Sequence, residues 1–180
     1  MPEPTSRVRP YWNHEIRKAW KKQIEAYQAE GSGYAAIHGT RPQTLAYGLN
    51  DSPVGLAAWI VEKFWSWSDC GGDVERAFTK DELLTNVMIY WLTETINSSI
   101  RLHFEFVHHP SGVQPGERVE VPTGVAVFPR EILNPPRSLA ESMYDIRRWA
   151  VMPSGGHFPA LEKPGELVKE IRAFFRPLRE

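Results

Sequence analysis

Ile146-Arg-Arg-Trp-Ala-Val-Met-Pro-Ser-Gly-Gly-His157-Phe158 is the stretch on which the reading of this chain turns. Ile146 to Val151 has the length and apolar content of a buried strand, and Pro153 with the two glycines ends it in a loop. A histidine on a glycine-flexed loop at the carboxyl end of a strand is where an α/β enzyme places a general base. Such a base needs a nucleophile from an earlier strand. These 180 residues offer no candidate for it.

Working outward from His157, Pro164 opens an amphipathic helix with Leu167, Ile171, Phe174 and Phe175 inward. Upstream, Val119 to Phe128 is β-rich, with Val125 to Phe128 the buried part, and residues 137–144 suit a short helix. The order strand, helix, strand, helix is a βαβα unit, which implies parallel pairing. Two parallel strands do not make a stable sheet by themselves. Residues 111–180 are therefore read as the last part of a larger α/β core with an open edge, and an open edge invites self-association or a partner chain.

Residues 1–110 read differently. Ile16, Ala19, Trp20, Ile24 and Tyr27 recur at helical spacing after His14-Glu15, closed by Gly31. Arg41-Pro42 starts a helix through Leu49. Ser52-Pro53 supplies a cap and a first-turn proline for a helix carrying Leu56, Trp59, Ile60 and Phe64. Thr79-Lys-Asp-Glu82 is a capping box before Leu83, Leu84, Val87, Met88 and Trp91. The segment from His108 to Gly116 reads as a loop. Its His108-His109 pair lacks the carboxylate or cysteine spacing of a metal site. Gly71-Gly72-Asp73 reads as a turn between helices.

The charge balance, 21 basic against 22 acidic residues, gives no reason to expect nucleic acid. Arg17, Lys18, Lys21 and Lys22 make a solvated helix face. The single cysteine excludes a disulfide framework. Seven tryptophans suggest broad apolar packing or a lid over an apolar pocket. Met1-Pro-Glu-Pro-Thr-Ser-Arg7 lacks an apolar signal core, and no run approaches the 18 apolar residues of a membrane span. A cytoplasmic location is the expectation, without metal or cofactor.

Four separated blocks carry a resemblance. They are Gly33-Tyr34-Ala-Ala-Ile-His-Gly-Thr40-Arg-Pro-Gln-Thr44, Ala46-Tyr-Gly-Leu-Asn-Asp51-Ser-Pro-Val-Gly-Leu-Ala57, Leu84-Thr-Asn-Val-Met-Ile-Tyr-Trp91 and Gly155-Gly-His-Phe158. In this order they resemble the lid and C-terminal part of microsomal-type epoxide hydrolases, in the α/β-hydrolase superfamily. The resemblance implies a partial α/β-hydrolase fold, a helical lid at 1–110 followed by the last βαβα unit at 111–180. It implies hydrolysis of a hydrophobic epoxide to a vicinal diol through an aspartyl ester. His157 matches the general base, Glu131 in Phe128-Pro-Arg-Glu131 the orienting acid, and Tyr34 the first lid tyrosine that donates to the epoxide oxygen. His103 occupies the place of the second lid tyrosine. The family's nucleophile and oxyanion loop lie upstream of the lid, so an N-terminal half is the expected partner. Some family members are anchored to membranes through an N-terminal segment. The competing reading is a non-catalytic remnant that binds a partner chain or an apolar ligand.

Overall fold

A computed structural model describes residues 14–110, 112–113 and 116–179; the Met1 to Arg7 reading lies outside them. The chain runs α1 (His14–Ala26), a π-helical turn (Tyr27–Gly31), α2 (Gly33–Thr40), α3 (Pro42–Asp51) and α4 (Pro53–Trp67). A 3₁₀ turn (Val74–Arg76) leads to α5 (Lys80–Thr93) and α6 (Ile96–His108). Then come β1 (Val119–Val127), α7 (Arg137–Met143), β2 (Tyr144–Val151), α8 (Pro159–Glu162), α9 (Pro164–Phe175) and a last 3₁₀ turn (Arg176–Leu178). These elements form two units. The cut differs from a division at residue 110, because residues 14–27 group with 112–179. The tie has a polar component, the Asn134 N–H donating to the Gln23 side-chain oxygen at 3.2 Å. No local pattern in α1 announces such a contact.

The helical unit, residues 28–110, follows its local signals. Ser52 caps α4 by accepting the Gly55 N–H at 3.0 Å, with Pro53 in the first turn. At α5 the capping box closes in both directions: Thr79 Oγ1 accepts the Glu82 N–H, and Glu82 accepts the Thr79 N–H at 2.8 Å. Leu56 on α4, Val87 on α5, and Ile96 and Ile100 on α6 pack with Ala46 and Leu49 in one buried cluster. Leu56 is wholly buried, which contributes about 2–3 kcal/mol. Phe64 and Phe78 meet edge-on at 5.0 Å. Near them the buried Cys70 thiol donates to the Trp65 carbonyl at 3.3 Å. Gly71 and Gly72 form the expected turn, and Asp73 caps the 3₁₀ turn through the Glu75 N–H.

In the sheet unit, β1 and β2 pair in parallel, with Val125 opposite Trp149, Ala126 opposite Ala150 and Val127 opposite Val151. The register slips earlier, beside Pro122, which has no N–H to give a ladder. Both strands begin earlier than their apolar runs, at Val119 and Tyr144, so hydrogen bonding extends past the apolar segment. Helix α9 crosses β1 so closely that a Cβ on Gly124 would lie 2.8 Å from the Phe174 ring. Arg148 on β2 and Glu170 on α9 pair at 2.6 Å. Leu167 and Phe174 are partly buried as expected, whereas Ile171 and Phe175 are 46% and 48% exposed. Two strands are too narrow to cover the whole apolar stripe of the helix.

Candidate active site

Parallel pairing brings the carboxyl ends of β1 and β2 side by side, and the pairing continues past both strands. The Met152 N–H donates to the Val127 carbonyl at 2.8 Å, and the Arg130 N–H to the Gly155 carbonyl at 3.1 Å. Arg130 and Gly156 form an isolated parallel bridge. Phe128 and Met152 are buried beneath these two loops. Gly155 sits at φ +106°, and a Cβ there would meet Phe128 at 2.8 Å. Both the backbone and the space require glycine at this position. The loops thus place Glu131 against His157.

The His157 Nδ1–H donates to Glu131 Oε1 at 2.6 Å, a charge-assisted distance. A carboxylate can only accept, so Nδ1 holds the proton and Nε2 is the nitrogen able to take another. The same Glu131 oxygen accepts the Ile132 N–H at 2.7 Å. Burial pushes the Glu131 carboxyl up, but the His157 and Ile132 hydrogen bonds outweigh it and hold the carboxyl below its ordinary value. The bond to Glu131 raises the imidazole above its usual 6.5, against desolvation and with help from the charges of Glu131 and Glu162. The two side chains keep 38% and 32% of their surface exposed, so the pair is open to reactants. A pocket of about 440 Å³ opens beside it, lined among others by Phe128, Glu131, His157, Pro159 and Phe174.

In the helical unit, Tyr34 and His38 lie one turn apart on α2, and His103 lies on α6. The Tyr34 ring stands edge-on to His38, Trp67 and His103 at 5.5, 5.2 and 5.6 Å. Lys63 on α4 sets its ammonium 4.8 Å from the Tyr34 ring centre while pairing with Glu62. The structure thus gathers Tyr34 and His103 in one cluster.

Sequence reasoning missed His38. It is buried, and the Trp59 indole N–H donates to its Nε2 at 3.2 Å. Nε2 must then be unprotonated and Nδ1 must carry the hydrogen. Desolvation by burial, then the nearby His103 and Lys63, lowers His38 to about 4. Burial also lowers His103. Among the described residues, the Nδ1 atoms of His38 and His103 are buried without a hydrogen-bond partner. The available signal was the helical spacing of Tyr34 to His38 and of Trp59 to Lys63 to Trp67, which puts polar tips on two helix faces. Sequence reasoning also missed Glu162.

The His108 Nδ1–H donates to the Phe104 carbonyl at 2.8 Å and its ring stacks on that of Phe104, while His109 lies 3.9 Å from Glu105. Helix α6 thus runs through His108, one residue into the expected loop. Among the described residues no group of three His, Cys, Asp or Glu side chains is placed to hold a metal, and no helix is long and apolar enough to cross a membrane.

A parallel strand pair ending in a histidine–carboxylate couple, in a chain with a helical segment before it, is the arrangement of an α/β-hydrolase. No family model matches the chain. Epoxide hydrolase 1 of Sus scrofa is 41% identical over 175 residues, covering 92% of this chain and 38% of that protein. The juvenile hormone epoxide hydrolase 2 of Ctenocephalides felis is 41% identical over 151 residues, 79% of this chain and 32% of that protein. The solved structure of Aspergillus niger epoxide hydrolase superimposes with a TM-score of 0.79 at 29% identity, covering 98% of this chain and 43% of that one. The chain is therefore similar over most of its length to the lid and C-terminal part of epoxide hydrolases and has part of the α/β-hydrolase fold. It spans well under half the length of these relatives.

Proposed function

We propose that this chain supplies the water-activating histidine and the oxygen-binding lid for hydrolysis of a hydrophobic epoxide to a vicinal diol. The observation that carries this reading is the 2.6 Å bond from His157 Nδ1–H to Glu131 at the carboxyl ends of two parallel strands. An aspartate from an N-terminal half attacks an epoxide carbon, opening the C–O bond and leaving an alkoxide and an aspartyl ester. Tyr34 donates its O–H to the oxygen as charge develops there. His103 acts as the second donor; burial keeps it neutral, so it gives an N–H without a competing positive charge. His157 Nε2 then takes a proton from water, whose oxygen attacks the ester carbonyl, and Glu131 stabilises the imidazolium that results. The tetrahedral intermediate collapses by breaking the ester C–O bond; the proton of its new hydroxyl and the proton held by the imidazolium go to the two alkoxide oxygens, the diol leaves, and the carboxylate and neutral His157 are restored.

The test is diol formation from an aromatic epoxide by the chain combined with the N-terminal half of a relative, beside His157→Ala. Turnover lost in the variant is the expected result. A soluble complex of both parts without turnover would overturn the reading.

A further inference from the structure

His157 is held at its ring by Glu131, but a ring is only as well placed as the backbone beneath it. That backbone has its own anchor. Glu162, the last residue of α8, turns its carboxylate back over the loop. Oε2 accepts the Gly156 N–H at 3.0 Å and Oε1 accepts the Phe158 N–H at 3.0 Å. One carboxylate thus takes the two amide hydrogens that flank His157. Gly156 is buried, and a buried N–H left without an acceptor is costly. Phe158 is the residue before α8, whose first-turn amides have no helical acceptor. The two amides bond separate oxygens of one group, an arrangement that a carboxylate offers and a side-chain amide, with one oxygen and one NH₂, does not.

We propose that Glu162 is a positioning residue for His157, fastening the backbone on both sides of the histidine so that its ring meets Glu131. The proposal rests on the reading of His157 as the base. The loop has three fixed points: the Gly155 carbonyl held by Arg130, the ring held by Glu131, and the flanking amides held by Glu162. The Glu162 charge also favours the imidazolium. Other charged groups around the histidine are Arg130 after β1, Lys163 whose stem packs on Gly155, and the Arg148–Glu170 pair lining the same pocket.

The experiment reads the His157 side chain directly, without turnover. ¹⁵N-histidine spectra of the chain are recorded across pH for the wild type, Glu162→Gln, Glu162→Ala and Glu131→Gln. In the wild type the His157 Nδ1–H is expected far downfield, as short N–H···carboxylate bonds are. Glu131→Gln abolishes that signal. Glu162→Gln and Glu162→Ala move it upfield and lower the His157 midpoint, because a nearby negative charge that favours the imidazolium is gone and the ring is no longer held on Glu131. Glu162→Gln keeps the side-chain volume and guards against a variant that does not fold. Unchanged Nδ1–H shift and midpoint in a folded Glu162 variant would overturn the proposal. Because no epoxide is involved, a failed diol assay with a positive spectroscopic result sinks the epoxide reading and leaves the clamp standing.

Discussion

The two units use histidine in opposite ways. In the sheet unit, His157 is partly open to solvent, faces a carboxylate, and is raised above its ordinary value. In the helical unit, His38 and His103 sit among aromatic rings, His38 also feeling the Lys63 ammonium, and both are lowered. The same ring is held readier to take a proton in one setting and kept neutral in the other. What decides is whether a negative charge is in reach and how much water has been removed.

The severest way to break this contrast is to remove the base. In the complemented enzyme, His157→Ala is expected to lower turnover by about 10⁴-fold or more, read by diol formation. Glu131→Gln lowers it by roughly 10³–10⁴-fold and shifts the acidic limb of the rate profile to lower pH. The sign follows from the raised imidazole: turnover needs the neutral ring, so rate climbs with pH through a midpoint above 6.5, and removing the carboxylate brings that midpoint down. A limb that stays in place in Glu131→Gln would contradict the pairing.

A smaller effect tests the lid. Tyr34→Phe and His103→Phe each remove one donor to a developing oxyanion, for an expected loss of about 10²–10³-fold in kcat measured under saturating epoxide. Equal rates in His103→Phe and wild type would make His103 a packing residue. The smallest effect concerns folding. His38 is lowered to about 4, so between pH 6.5 and 4 the unfolded chain takes a proton that the folded chain refuses. Stability falls across that window by up to about 3 kcal/mol, and His38→Gln flattens the dependence in denaturant titrations at several pH values. A wild type whose stability stays level from pH 6.5 to 4 would contradict the buried neutral ring.

Much of the helical unit was legible because its starts are written locally. Ser52-Pro53 and Thr79 to Glu82 fix where α4 and α5 begin, whatever packs on them. Glu131 was legible only through the family resemblance, with its place in the loop after a strand as support; by residue type alone it reads as a solvated acid. Glu162 was not, because its task is to accept backbone hydrogens, and nothing in its residue type marks that. Phe158-Pro-Ala-Leu-Glu162 shows only a proline-led short helix with an acid close behind. His38 was hidden for another reason: Trp59, which sets its tautomer, lies 21 residues away on a different helix. The grouping of α1 with the sheet is likewise a tertiary fact, carried in part by Gln23 and Asn134.

The lone thiol offers a clock for one half of the molecule. Cys70 is buried in the helical unit and bonded to the Trp65 carbonyl, so an alkylating reagent reaches it only when that unit opens. The chain has no second cysteine to confuse the count. The rate of single-site modification therefore measures how often the lid helices come apart, while the strands that carry His157 contribute nothing to the signal.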